Sequence, residues 1–267
     1  MTAAAAKPKP VTVPDVRAAK GQRKLAVVTA YDFTAAKLAD DAGIDAVLVG
    51  DSLGMVVQGH GNSLSVTLPQ MAYHTACVVR GTKRALVIAD LPFGSYQEGP
   101  RQAIRSAVRL IRAGAAAVKL EGGERMATTI DALVNAEIPV MAHIGLTPQS
   151  VHKFGGFKVQ RDADVLMRDA EAVAAAGAFA VVVECVPSAA AKAVTAAIAV
   201  PTIGIGAGPD CDGQVLVLHD LLGLYDGFRP KFVKRYAELG DAMTAAFAAY
   251  IDDVREGRFP ASEHEFR

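Results

Sequence analysis

The chain has 267 residues, half of them hydrophobic, and its 28 basic residues balance 28 acidic ones. That length suits one (β/α)8 barrel of roughly 250 residues or two smaller domains, and the neutral balance excludes a global field drawing it to nucleic acid or an anionic membrane. No apolar stretch approaches the ~20 residues of a membrane-spanning helix.

In chain order, β-branched runs bounded by Gly and Pro predict strands near 25–30, 46–50, 85–90, 116–121, 138–143, 179–184, 201–205 and 214–218. Helices are predicted near 33–42, 70–80, 99–113, 124–136, 163–176, 188–198 and 238–254. The motif Ala-Gly-x-x-Ala-Val recurs at 42–47, 113–118 and 176–181, placing Gly43, Gly114 and Gly177 where a helix ends in a left-handed residue before the next strand. Ahead of Gly114, Ile104, Ala107, Val108 and Ile111 mark an apolar helix face. Long loops are expected at 51–69 and 144–162. Repeated α-to-β joints without a linker predict an α/β fold, a single (β/α)8 barrel spanning 21–267, with 1–20 a disordered tail and lead-in. The rival is a doubly wound open sheet, but the glycines of Gly204–Gly208 lack the G-x-G-x-x-G spacing of a dinucleotide site. The opening segment has no apolar signal core. Cys77, Cys185 and Cys211 are odd in number and show no metal-ligand spacing, which predicts a cytoplasmic protein with free thiols.

The chemistry is suggested by four strand runs that end in acids, at Asp51, Asp90, Glu121 and Glu184. Parallel strands deliver these ends to one side of the sheet, where converging carboxylates need a cation or a shared proton. Alternation along the strand sends Val118 and Leu120 toward the helices and Lys119 and Glu121 inside. Lys119 and Glu121 are either site residues or a structural ion pair, and Asp51 and Asp90 either site residues or helix caps. Asp51 shares its parity with Val47 and Val49, and Asp90 with Leu86 and Ile88. Glu184 has apolar neighbours and is the candidate general base, against the plainer reading of a strand-end Glu reaching solvent. His143 is equally a core or a functional histidine, and Ser52 either binds substrate or caps a turn. Acids without a His or Cys cluster favour a hard cation such as Mg²⁺, which takes one or two protein carboxylates and leaves positions for a 2-oxo acid. Such an ion stabilises an enolate, with Lys119 adding positive charge and the amides of Gly204–Gly208 available to another anionic group.

Specific motifs carry a resemblance. They include Thr29-Ala-Tyr-Asp32, Leu48-Val-Gly-Asp-Ser-Leu-Gly-Met55, Ala89-Asp-Leu-Pro-Phe93, Val118-Lys-Leu-Glu-Gly-Gly123 and His143-Ile-Gly-Leu-Thr-Pro-Gln-Ser150. Phe154-Gly-Gly-Phe-Lys-Val-Gln160, Glu184-Cys-Val-Pro187, Ile203-Gly-Ile-Gly-Ala-Gly208 and Gly257-Arg-Phe-Pro260 continue the set in order. Together they resemble the ketopantoate hydroxymethyltransferase (3-methyl-2-oxobutanoate hydroxymethyltransferase) family over nearly the whole chain after residue 20. The resemblance implies a barrel of the phosphoenolpyruvate mutase/isocitrate lyase type. It also implies transfer of a hydroxymethyl group from 5,10-methylenetetrahydrofolate to 3-methyl-2-oxobutanoate in pantothenate synthesis, through a Mg-stabilised enolate. By the same resemblance, one Mg²⁺ per subunit is held by Asp51 and Asp90, with Glu121 ligating directly or through water. Asp51, Ser52, Asp90 and Lys119 match ketoacid-binding positions, Glu184 matches the proton acceptor, and a homodecamer (a pentamer of dimers) is implied.

One departure follows Gln160, where Arg161-Asp-Ala-Asp164 replaces a longer glycine-containing stretch of the family, on the catalytic side. Two rival readings exist. A C–C or P–C lyase of the same barrel type would carry a catalytic-loop cysteine, and a non-catalytic scaffold would have lost an acid; the chain shows neither sign.

Overall fold

The computed structural model describes residues 9–225, 227 and 229–266. Eight parallel strands close into a barrel in sequence order: β1 Leu25–Thr29, β2 Ala46–Val49, β3 Leu86–Asp90, β4 Ala117–Glu121, β5 Val140–Gly145, β6 Ala180–Glu184, β7 Thr202–Ile205 and β8 Gly213–Leu216, the last pairing with β1. Two apolar layers result from the period-two alternation of strand side chains. Leu48, Ile88, Met141, Val182, Ile203 and Val215 fill the interior. Val47, Val49, Val118, Leu120, Val181 and Val183 face outward into a larger cluster with the helices. Each such side chain contributes roughly 1.5–3 kcal/mol by leaving water.

The recurring joint is as expected: Gly43, Gly114 and Gly177 adopt φ of 90, 108 and 93° directly after their helices. Within helix Pro100–Arg112 the buried face is Ala103, Ser106, Ala107 and Leu110, while Ile104, Val108 and Ile111 flank it. The helix expected over 70–80 begins at Leu68, because Thr67 and Gln70 form a capping box and Pro69 suits the first turn.

Three expectations are corrected. The lead-in is helical over Val13–Ala18, where Thr12 and Asp15 form a capping box; the disorder expected at 1–8 lies outside the described residues. The loop 51–69 contains helix Leu53–Val56. The loop after β5 winds into turns at Pro148–Ser150 and Val151–Phe154.

The described residues fall into two compact units, one ending at Val217 and the other beginning at Leu218. The second carries helix Leu239–Arg255, on which Met243, Phe247, Tyr250, Ile251 and Val254 are exposed, and packs Tyr250 edge-on to Phe259 at 5.8 Å. Among the described residues no helix is long and apolar enough to cross a membrane.

Candidate active site

The strand register builds the site. Asp90 lies opposite Lys119 across β3 and β4, Glu121 opposite His143 across β4 and β5, and Gly145 opposite Glu184 across β5 and β6. All are at the C-terminal strand ends, the end where barrels carry their chemistry. Gly145 is required there: its φ is 87°, and a Cβ would sit 2.4 Å from the Glu184 carbonyl oxygen. Cys185 follows in the left-handed region at φ 48°, its N–H donating to the Ile205 carbonyl. A non-glycine residue there stores on the order of 1–2 kcal/mol of strain, so the end of β6 is held in place by its surroundings.

Asp90, Lys119 and Glu121 point inward as their parity requires, and Val118 and Leu120 point outward. Asp51 reaches the mouth by another route. Its parity partners Val47 and Val49 face the helices, so a continued strand would carry it outward. Instead β2 ends at Val49, the chain turns through Gly50, and the Asp51 amide donates to Asp90 Oδ2 at 3.1 Å. Ser52 shares a hydrogen bond with Tyr31 (Oγ to Oη 2.9 Å), and Gly50 leaves room for it, since a Cβ there would stand 2.8 Å from Ser52 Oγ.

Asp51, Asp90, Lys119, Glu121 and His143 are each under 5 % exposed. Lys119 Nζ lies 2.7 Å from Asp90 Oδ1. His143 bridges two acids, with Nδ1 3.6 Å from Glu121 Oε1 and Nε2 3.1 Å from Glu184 Oε2. Neither ring nitrogen makes an aligned hydrogen bond, so both are ion contacts. The charges follow from this packing. Burial, together with the charges of Glu121 and Asp90, pushes the Asp51 carboxyl up to about 8. Burial also raises Asp90, against the pull of Lys119. Burial would lower Lys119, but Asp90, Glu121 and Asp51 overcome it and keep it an ammonium ion. Burial likewise opposes a charged His143, yet Glu121 and Glu184 carry it up to about 9. For Glu121, burial is outweighed by His143, Lys119 and the Gln149 amide, and its carboxyl is lowered.

Among the described residues no three His, Cys, Asp or Glu side chains form a ready metal cage. Glu121 is occupied: Oε2 accepts from the Gln149 N–H at 2.9 Å while Oε1 faces His143. The pair that fits a hard cation is Asp51 and Asp90. They are buried carboxylates raised above their ordinary values, and Asp90 Oδ1 makes no aligned hydrogen bond. An all-oxygen pair of this kind matches Mg²⁺ rather than zinc or copper.

The glycine run after β7 is split: Gly204 belongs to the strand, and only residues from Gly206 onward are free to form an anion-binding loop. After the shortened stretch, Gln160 N–H donates to the Cys185 carbonyl and Asp162 caps helix Ala163–Ala175. A cavity of about 280 Å³ lies between this segment and the strand ends, lined by Gly122, Gly145, Thr147, Phe154 and Asp169 among others. The three cysteines are free. Sequence reasoning did not single out Gln149 or Tyr96, and it left His143 undecided. Gln149 Nε2 donates to Asp51 Oδ2 at 2.8 Å, yet a Gln in a loop carries no periodicity to reveal it.

Comparison with known proteins accords with this geometry. A family profile described as ketopantoate hydroxymethyltransferase matches residues 10–262. A 3-methyl-2-oxobutanoate hydroxymethyltransferase of Moorella thermoacetica is 55% identical over 263 residues, covering 96% of this chain and 98% of that protein. One of Syntrophobacter fumaroxidans is 56% identical over 261 residues, covering 96% and 93%. Among solved structures, 2,3-dimethylmalate lyase, a PEP mutase/isocitrate lyase superfamily member, superposes with a TM-score of 0.62 at 20% identity, covering 95% of this chain and 91% of that one. Phosphoenolpyruvate phosphomutase from Streptomyces platensis subsp. rosaceus gives 0.63 at 18%, covering 96% and 92%. The barrel shares the fold of these phosphoenolpyruvate mutase/isocitrate lyase superfamily structures, and the chain belongs to the ketopantoate hydroxymethyltransferase family.

Proposed function

We propose that the chain transfers a hydroxymethyl group from 5,10-methylenetetrahydrofolate to 3-methyl-2-oxobutanoate, giving 2-dehydropantoate and tetrahydrofolate in pantothenate synthesis. The observation that carries this reading is the buried Asp51–Asp90 pair beside an ammonium Lys119 in a chain of this family. Asp51 and Asp90 would hold Mg²⁺, which supplies Lewis-acid polarisation of the ketoacid's 2-oxo group. Both Glu121 oxygens are already engaged, which favours its acting on the ion through water.

The remaining work falls to the chain's own groups. Glu184 accepts the C3 proton, its carboxylate oriented by His143 at 3.1 Å. Lys119 meets the negative charge that develops on the ketoacid oxygen, and Ser52 binds the ketoacid beside it. Water cleaves both bonds of the methylene carbon to folate, at N5 and N10, its two protons passing to those nitrogens to give tetrahydrofolate. C3 attacks the resulting formaldehyde-level carbon, whose oxygen becomes the hydroxyl and takes the proton held by Glu184. We place the folate donor in the cavity beside Gly122, which follows Glu121 in the chain, and Gly145, which lies opposite Glu184 across β5 and β6. Lys119 is held as an ammonium ion by three acids and is a poor nucleophile, so no Schiff base forms. The reading also takes the chain to be a cytoplasmic homodecamer (a pentamer of dimers), with the exposed apolar face of helix Leu239–Arg255 in support of assembly.

The test needs no folate. With Mg²⁺, the protein alone should exchange the C3 proton of 3-methyl-2-oxobutanoate for deuterium, and borohydride should trap no adduct on Lys119. With methylenetetrahydrofolate added, 2-dehydropantoate should appear. Absence of both exchange and product would refute the reading, and a borohydride adduct on Lys119 would refute its mechanism.

A further inference from the structure

We infer that Gln149, oriented by Tyr96, is a positioning residue that fixes the carboxylate of Asp51 at the barrel mouth; the inference rests on the function proposed above. Both side chains are buried, Gln149 at 7 % and Tyr96 at 2 % exposure. The Gln149 amide is fully engaged. Nε2 donates to Asp51 Oδ2 at 2.8 Å and to the Leu91 carbonyl at 3.0 Å, while Oε1 accepts from the Tyr96 hydroxyl at 2.7 Å and from Gln97 Nε2 at 3.3 Å.

These contacts allow one orientation. A reversed amide would set Oε1 against a carboxylate oxygen and a carbonyl oxygen, acceptor against acceptor. It would also turn the NH₂ group toward Gln97 Nε2, donor against donor. Tyr96 fixes the choice from the other end. Its hydroxyl has one proton, and the 2.7 Å contact to Gln149 takes it in preference to the Glu121 carbonyl at 3.2 Å. The Tyr96 oxygen is then left to accept the Glu121 N–H, also at 3.2 Å. Burial pushes the Tyr96 hydroxyl well above its ordinary value, which keeps it a donor.

The result is a directed chain: Glu121 N–H to Tyr96, Tyr96 O–H to Gln149, Gln149 N–H to Asp51. The backbone N–H of Gln149 also holds Glu121 Oε2 at 2.9 Å. One residue thus ties the ends of β2, β3 and β4 to the loop after β5. It occupies one Asp51 oxygen, so the direction of the other is set. A residue serving only as structural glue would not need its side-chain amide locked toward Asp51 while its backbone N–H holds a second mouth acid, Glu121.

The experiment compares Gln149→Leu, Tyr96→Phe and the double variant in the full chain. Each is measured by calorimetric Mg²⁺ titration, by kcat and KM for 3-methyl-2-oxobutanoate, and by Tm. Gln149→Leu should weaken Mg²⁺ binding about 10–100-fold and lower kcat, the range found when a group orienting a metal ligand is removed. Tyr96→Phe should act in the same direction by about threefold to tenfold, and the double variant should be no worse than Gln149→Leu, because Tyr96 acts through Gln149. Effects that simply add, or Tm losses with Mg²⁺ affinity and kcat unchanged, would show a structural role only and overturn the inference. If Gln149→Leu does not fold, Tyr96→Phe decides alone: an unchanged Mg²⁺ affinity overturns the proposal. A wild-type protein that neither binds Mg²⁺ nor exchanges the C3 proton overturns the proposed function and this inference with it. Binding in the wild type with unaltered variants overturns only the inference.

Discussion

The two ends of the barrel use the same residue type in opposite ways. At the N-terminal end, Asp40 accepts from the backbone N–H groups of Lys83, Arg84 and Ala85, and Asp212 from those of Gly21 and Thr202 with Lys20 at 2.8 Å. Burial opposes the charged form at both, but these donors outweigh it and hold both carboxyls below the ordinary value. At the mouth, Asp51 and Asp90 are at least as buried, at 4 % and 2 % exposure, yet both are raised. Burial opposes the charged form at all four acids and is deepest at the mouth, where it is the largest cause of the raised values; at the floor the fixed donors outweigh it. The floor surrounds each acid with fixed donors, whereas the mouth sets acids against one another, the arrangement that the proposed cation would complete.

The contrast can be broken at either end. The largest effect should come from Glu184→Gln, which removes the proposed proton acceptor while keeping its shape. C3 exchange should fall about 10²–10⁴-fold, the usual contribution of a general base, with Tm and Mg²⁺ affinity close to wild type; unimpaired exchange would move the base elsewhere. Asp40→Ala should act on stability instead. It strands buried backbone donors and should cost about 2–4 kcal/mol in denaturant unfolding, leaving exchange by the folded fraction intact. A floor variant that lost Mg²⁺ binding but kept its stability would contradict the division.

A smaller effect sharpens the comparison through pH. Asp51 has a folded value near 8 against 3.8 for the free group, so its favourable contribution is complete below 3.8 and is lost as pH rises through about 8. His143, raised to about 9 from 6.5, works in the same direction. Asp40 and Asp212 are lowered, so their contribution is present above 3.8 and is lost only on acidification. The Tm of metal-free protein should accordingly decline between pH 6 and 9. Asp51→Asn should flatten that decline and raise Tm at pH 8.5 by about 2–4 °C for each kcal/mol of relieved repulsion. An Asn variant with the wild-type slope would show that Asp51 is not the strained group.

Most of the barrel was legible because its signals are periodic. The runs ending at Asp90, Glu121 and Glu184 alternate cleanly, and the register then brings Asp90 to Lys119 and Glu121 to His143. Asp51 shows the limit: alternation stops where the strand stops, and one turn at Gly50 reverses what parity predicts. Gln149 and Tyr96 were unreadable for a related reason. Their partners lie 98 and 53 residues away in the chain, for Gln149 to Asp51 and Tyr96 to Gln149, and no local pattern marks a residue whose role is set by the meeting of four loops. His143 was visible as a strand residue, but its two carboxylate neighbours come from strands on either side and appear only once the sheet closes. The short turns in the loops after β2 and β5, such as Leu53–Val56 and Val151–Phe154, span single turns too brief to show a helical period.

Calorimetric titration of the full chain with Mg²⁺ in buffers of different ionisation heat tests most directly whether the mouth acids take up the proposed cation. Because a cation binds the ionised carboxylate, Mg²⁺ must displace the Asp51 proton below about pH 8. At pH 7 binding should release close to one proton, the affinity should climb about tenfold per pH unit and then level off above 8, and 3-methyl-2-oxobutanoate should strengthen it. Asp51→Asn should abolish the proton release. Saturable binding with no proton release at pH 7, or no Mg²⁺ binding with the ketoacid present, would contradict the account.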